Sequence, residues 1–399
     1  MPYGILLALE HWIFNSYTFP RPDRLRECQF KTMKHDILIS ISVLAALVGC
    51  TKVDVRTPER VQSDVCFNTP VVSSITKVVR EMDEYPTSES FAVFSVYHSE
   101  GFNGWDTGVS YINRAEFTYN ESVDDTDSDA LGGWTGGYYY PKSGKLSFAA
   151  YSPFSAHAET PGTGTGTFEY ASAGLSIANF TIPELAAQYD LLYSERIYDK
   201  TANDGVGDGY EGLDLVFQHA LSSIKFKVQK KAAYTGYTIT LKSISLENIN
   251  YKGSFAENIQ DETSDVYDSK PKWTPTDEFD ASDGLDDLTN YTIYNSSLVI
   301  TEAATDTDDV KFHMIPQGAI LLPQTFGESD TALIRVNYTI QPTSMPEISQ
   351  TATIPLNKLS EGWVIGKRYT YNISIGYDTI TISPTVIGWE DVNGDVAVN

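Results

Sequence analysis

Apolar and polar residues alternate through most of this chain, and a sustained helical period is almost absent. Ile224, Phe226 and Val228 share one strand face while Lys225 and Lys227 take the other. Phe91–Tyr97, Tyr111–Tyr119, Tyr237–Ile249, Tyr291–Thr301, Ala332–Ile340, Arg368–Ile375 and Thr379–Ile387 follow the same rule. A period of two buries one face and wets the other, as in antiparallel sheets. About fourteen such segments recur at near-regular spacing, separated by turn residues. The clearest helical candidate, Pro183–Tyr189, is short. Packing rules convert this pattern into an all-β fold of two tandem antiparallel β-sandwich domains, each with its own core.

The first fifty residues follow a different logic. Met33–Cys50 reads as an export signal: Lys34 and His35 precede the apolar run Ile37–Val48, which ends on Leu47-Val48-Gly49-Cys50. A membrane-spanning helix needs roughly 20 apolar residues, and this run is shorter. The ending resembles the bacterial lipobox, which makes Cys50 the expected lipidation site and first mature residue. Residues 1–49 are then an upstream extension plus signal peptide, with Met33 the expected start. Residues 50–62 form a polar tether, 63–205 an N-terminal sandwich and 206–399 a C-terminal one. The boundary falls at the glycine- and aspartate-rich stretch Asp204–Gly209.

Charge excludes one class of partner. Asp and Glu number 53 against 28 Lys and Arg, for a net charge of −25. Such a surface repels phosphate backbones, so no nucleic acid is expected. Three cysteines are present, and Cys66 alone remains beyond Cys50, which leaves no intrachain disulfide to staple the mature fold. A large apolar core must do that work. The 25 tyrosines and 18 phenylalanines supply it.

Catalytic and metal signatures are missing. The six histidines, His11, His35, His98, His157, His219 and His313, show no metal-ligand spacing, and no nucleophile elbow occurs. His219, flanked by Phe217 and Leu221, reads as a core histidine. The acidic loop Glu121–Asp129 lacks the glycine and terminal glutamate of a calcium loop, as does Asp391–Asp395. Thr160–Thr167 lacks the lysine and helix of a phosphate cradle. No catalytic residue, metal or cofactor is expected. Trp134–Phe154 reads as a hairpin turning at Lys142–Lys145. Ser73–Ser90 contains nothing resembling a core element, and the insertion Glu257–Asn290 reads as surface loops.

Several segments, in order, resemble the fimbrillin family of Bacteroidales in its fimbrillin-like branch. They are the lipobox at Cys50, Phe91–Tyr97, Trp134 leading to Tyr140-Pro141, Leu146–Pro153, Asp190–Leu192, Leu215–Leu221 and Ile315-Pro316-Gln317. Gly362-Trp363, Gly366–Tyr369 and Val386–Trp389 complete the set. The resemblance implies two transthyretin-like sandwiches and a pilus subunit exported as an outer-membrane lipoprotein. It further implies that an arginine-specific protease removes the first strand, and that a strand from another subunit fills the groove. Val61–Val72 is the expected removable strand and Arg80 the expected cut site. The ten residues after Trp389 are polar and make a poor donor strand, which favours a tip or accessory subunit over a stalk subunit. A rival reading is a monomeric surface lipoprotein that binds glycan on Trp105, Trp134, Tyr138 and Tyr139 by stacking.

Overall fold

The alternating segments become strands in the computed structural model, which describes residues 64–73, 85–121, 133–158, 165–204, 212–231, 236–260, 271–276, 288–300 and 312–389. In chain order the first strands are β1 (Asp64–Phe67), β2 (Val71–Ser73), β3 (Ser90–His98), β4 (Val109–Asn120), β5 (Gly133–Tyr139), β6 (Lys145–Ser152), β7 (Thr167–Ala171) and β8 (Gly174–Thr181). Next come β9 (Leu192–Ser194), β10 (Ile197–Lys200), β11 (Val216–His219), β12 (Ser222–Lys230), β13 (Tyr237–Asn250), β14 (Lys252–Ala256), β15 (Lys272–Pro275) and β16 (Leu288–Ile300). The last are β17 (His313–Met314), β18 (Ala319–Leu321), β19 (Gln324–Thr325), β20 (Leu333–Pro342), β21 (Ile348–Pro355), β22 (Gly362–Trp363), β23 (Lys367–Ile375) and β24 (Ile380–Gly388). No α-helix occurs among the described residues. The helical candidate is a single 3-10 turn, Leu185–Ala187.

A large first sheet runs β1-β5-β4-β3-β6-β9-β11-β2, with β10 alongside β6. Its central strands are buried on both faces. Phe91 and Val93 of β3 enter one core with Phe117, Phe148 and Phe217. Ala92, Phe94 and Val96 enter a second core that continues through the rest of the molecule. That second core is completed by the sheets β15-β14-β8-β7, β17-β12-β23-β24 and β16-β13-β20-β21. Most pairings are antiparallel, but β12 runs parallel to β23 and β11 parallel to β2.

Two sequence expectations are corrected here. The expected hairpin does not form: β5 pairs with β1 and β4, whereas β6 pairs with β3. The turn signal fixes where the chain reverses, while burial of Phe148 and Tyr151 in opposite cores decides which strand lies alongside. The insertion after Glu257 is not all surface loop. Its β15 pairs with β14, which in turn pairs with β8; β15 buries Trp273 and directs the Trp273 Nε1 to the carbonyl of Ala220 at 2.6 Å.

Candidate functional site

Three residues, Asn68–Pro70, separate β1 from β2, yet the two strands stand at opposite ends of the first sheet. This one segment closes the sheet on itself. On one side β1 pairs antiparallel with β5, matching Cys66 to Thr135 and Phe67 to Trp134. On the other, Leu213 N donates to Cys66 O at 2.8 Å and Asn68 N to Leu213 O at 2.9 Å. Val71 N reaches Leu215 O at 2.9 Å before β2 continues along β11, matching Val72 to Phe217.

The alternation of Val65-Cys66-Phe67 sends two side chains inward. Both Val65 and Phe67 are completely buried. The Phe67 ring sits edge-on to three others, with centroids 5.8 Å from Phe91, 5.4 Å from Phe117 and 5.6 Å from Phe148. Each such aromatic pair adds about 0.5–1.5 kcal/mol beyond area burial. Removing 64–73 would therefore bare two strand edges and an aromatic box between them.

The chain re-enters this core at Tyr85. Its ring lies 5.0 Å from Trp134 and 5.7 Å from Phe217, and its hydroxyl is 2.6 Å from Ser152 Oγ. Burial pushes that hydroxyl well above the ordinary phenol range. Sequence reading misses this residue, since Ser73–Ser90 is expected to hold no core element. An aromatic directly before Pro86 in a polar stretch is the available signal.

Cys50 and Arg80 lie outside the described residues, as do Asp391–Asp395 and Ser122–Asp129 of the acidic loop. Val61–Ser63 of the expected removable strand lie outside too. The four aromatics expected to stack on glycan do not form one platform. Trp134 is wholly buried in the core of the first sheet, and Trp105 is 6 % exposed beside Tyr170 and beneath the Arg196 guanidinium. Tyr138 is half-buried and stacks on Phe117, while Tyr139 is exposed. Trp134, enclosed by Tyr85, Phe91 and Tyr119, has no face left for a sugar.

His219 is buried next to β2's partner residues. Its Nδ1 lies 2.6 Å from Asp190 Oδ2, and its ring stacks on Trp389 at 4.1 Å and 5°. Trp389 follows β24 directly, so one strand, β11, meets both the first segment and the end of the last strand. No group of three or more metal-ligating side chains occurs among the described residues.

No curated protein matches the chain. Among solved structures, a fimbrial protein from Bacteroides vulgatus is similar at 18% identity over 82% of this chain and 100% of that one, with a TM-score of 0.49. A candidate cell adhesion protein from Bacteroides uniformis is similar at 14% identity over 82% of this chain and 98% of that one, with a TM-score of 0.45. The sequence profile of the fimbrillin-like family matches residues 78–389. With that span covering most of its length, the chain belongs to the fimbrillin-like family.

Proposed function

We propose that the chain is a structural subunit of a cell-surface pilus, assembled when its first strand is removed and replaced by a strand of another subunit. Family membership supports a pilus-type, non-enzymatic role at the cell surface. The observation that carries the finer reading is the 64–73 segment, which closes the first sheet while being joined to the rest only through residues 74–84. Cutting after Arg80, within that span, leaves the body anchored at Tyr85. The groove so opened would offer main-chain groups of β5 and of residues 213–218 to an incoming strand, and the Phe67 box would set its register.

In this reading the precursor travels to the outer membrane as a lipoprotein modified on Cys50, and proteolysis releases it from that anchor. The pairing of β24 with β23 along its whole length, and the seat of Trp389 on His219, favour a tip or accessory subunit that keeps its last strand. The test is the N-terminus and oligomeric state of protein purified from native outer membranes, by mass spectrometry and heat-graded gel. A start at Glu81 with a ladder of multimers is expected. A lipidated Cys50 on a monomer would overturn the exchange mechanism.

A further inference from the structure

A cavity of about 230 Å³ opens on the first sheet, away from the 64–73 segment. It is made by a break in the ladder between β3 and β4. The register shifts twice, between Val93 and Ser95 and between Ser95 and Val96. Opposite the break, Arg114 adopts a φ of 52°, a backbone conformation that side-chain-bearing residues rarely hold. Bulges of this kind re-aim side chains, and here Ser95, Ser110 and Asn113 line the opening.

Its walls are Phe94, Val96 and Ile112 with the Trp105 and Tyr170 rings, whose centroids lie 4.5 Å apart. Arg196 holds that aromatic pair in place. Its guanidinium sits 5.1 Å from one ring centroid and 5.2 Å from the other. Its Nε donates to Tyr170 Oη at 2.9 Å, and Nη2 donates to the carbonyls of Ala171 and Ser172. Burial and the nearby Glu257 carboxylate keep the Tyr170 hydroxyl protonated. Asp106 and Asn113 stand exposed at the rim.

Ser95 is 1 % exposed, and its hydroxyl has no hydrogen-bond partner among the described residues. A buried hydroxyl left unmade in a native protein calls for a missing partner. The Nε2 of His98 is in the same condition and packs against Gly108, another lining residue, so near that an added Cβ would come within 2.7 Å of it. One orphaned hydroxyl thus lines a cavity with an aromatic wall and a rim carrying a carboxylate, an amide and a hydroxyl, and an orphaned imidazole nitrogen lies behind its Gly108 wall.

We propose that this cavity is a binding subsite for a neutral, hydroxyl-rich ring, a single pyranose of a surface glycan. Aromatic faces take the C–H face of a sugar, and Asp106, Asn113, Ser110 and Ser95 offer the donors and acceptors that ring hydroxyls need. An anionic ligand does not fit: the Arg196 contacts above are spent on the protein itself, and a net charge of −25 repels anions. Pockets for larger organic ligands run to about 300–1,000 Å³, so one ring enters and the rest of a glycan stays outside. The proposal stands whether or not the first strand is removed.

The test titrates the full-length protein with the methyl glycosides of glucose, galactose, mannose, fucose and N-acetylglucosamine. Binding is followed by saturation-transfer NMR and tryptophan emission. At least one glycoside is expected to saturate, with Asn113→Ala and Asp106→Asn each weakening it about tenfold, equivalent to one decade in Kd, at unchanged thermal midpoint. Ser95→Ala is expected to weaken it as well. Failure of every glycoside to saturate by about 50 mM would mean that the cavity holds water only. Binding left intact by both rim variants would place the sugar elsewhere, and either result overturns the proposal.

Discussion

The segment 64–73 and the strand β24 lie at the two ends of the described chain and are held in contrasting ways. The first makes only three paired positions with β5 and three with β11, but it buries Val65 and Phe67 completely. The second pairs with β23 along all nine of its residues, yet none of the nine is fully buried, and Val386 and Ile387 are each 49 % exposed. Ladder bonds exchange with water bonds and contribute modestly in net terms, whereas burial of apolar side chains does not have that competitor. The shorter segment is therefore the more firmly seated one.

Replacing Phe67 by Ala tests this directly. It should lower the unfolding free energy of the full chain by about 3–5 kcal/mol, as for other buried aromatics, in urea denaturation. A loss under about 1 kcal/mol would show that the ladder, not the ring, holds the segment. Next in size is Trp389→Ala. Amide exchange should quicken across Ile380–Gly388 and little elsewhere, because the ring closes the last strand against His219. Uniform exchange throughout the second core would contradict a local role. Ile382→Ala, on the half-buried face of β24, should lower stability by only about 1 kcal/mol. Equality with Phe67→Ala would erase the contrast.

The smallest effect is one of pH. Burial raises the hydroxyls of Tyr85 and Tyr140, both in the core beneath the first segment. Unfolded tyrosine ionises near pH 10, so above that the unfolded chain sheds protons that the folded chain keeps. Their contribution is whole below about pH 10 and declines as pH rises further. The urea midpoint should fall between about pH 9 and about pH 11, and fall less in Tyr85→Phe. An identical slope in that variant would remove Tyr85 as a cause.

Much of this architecture is legible in the sequence because period-two alternation is a local property. Phe91–Tyr97 lies within β3 (Ser90–His98), and Arg368–Ile375 within β23 (Lys367–Ile375). Pairing partners are not legible. Nothing local to Trp134–Phe154 reveals that β3 and β4 come between β5 and β6, since that order is set by burial against distant residues. The same holds for β15, whose Trp273 finds its core only through β14 and β8. Val61–Val72 is expected as one strand, but the sequence does not show that it divides at Asn68–Pro70 to reach both ends of one sheet. The aromatic box around Phe67 draws on β3, β4 and β6, so no spacing rule could assemble it. Trp105 stands out as a sugar platform on residue type alone. Its neighbours Tyr170 and Arg196 come from segments far along the chain.

Residues Val216–His219 carry a mechanical consequence. β2 runs parallel to Val216–Gln218, and the next residue, His219, bears the Trp389 ring. Tension applied between the first segment and the end of β24 thus has a route only four residues long. Parallel strands pulled along their length resist in shear, with all ladder bonds loaded together, and do not unzip bond by bond. With the first segment in place, force applied to it and to the end of β24 is carried by β11 before it reaches the sheets around β13 and β20.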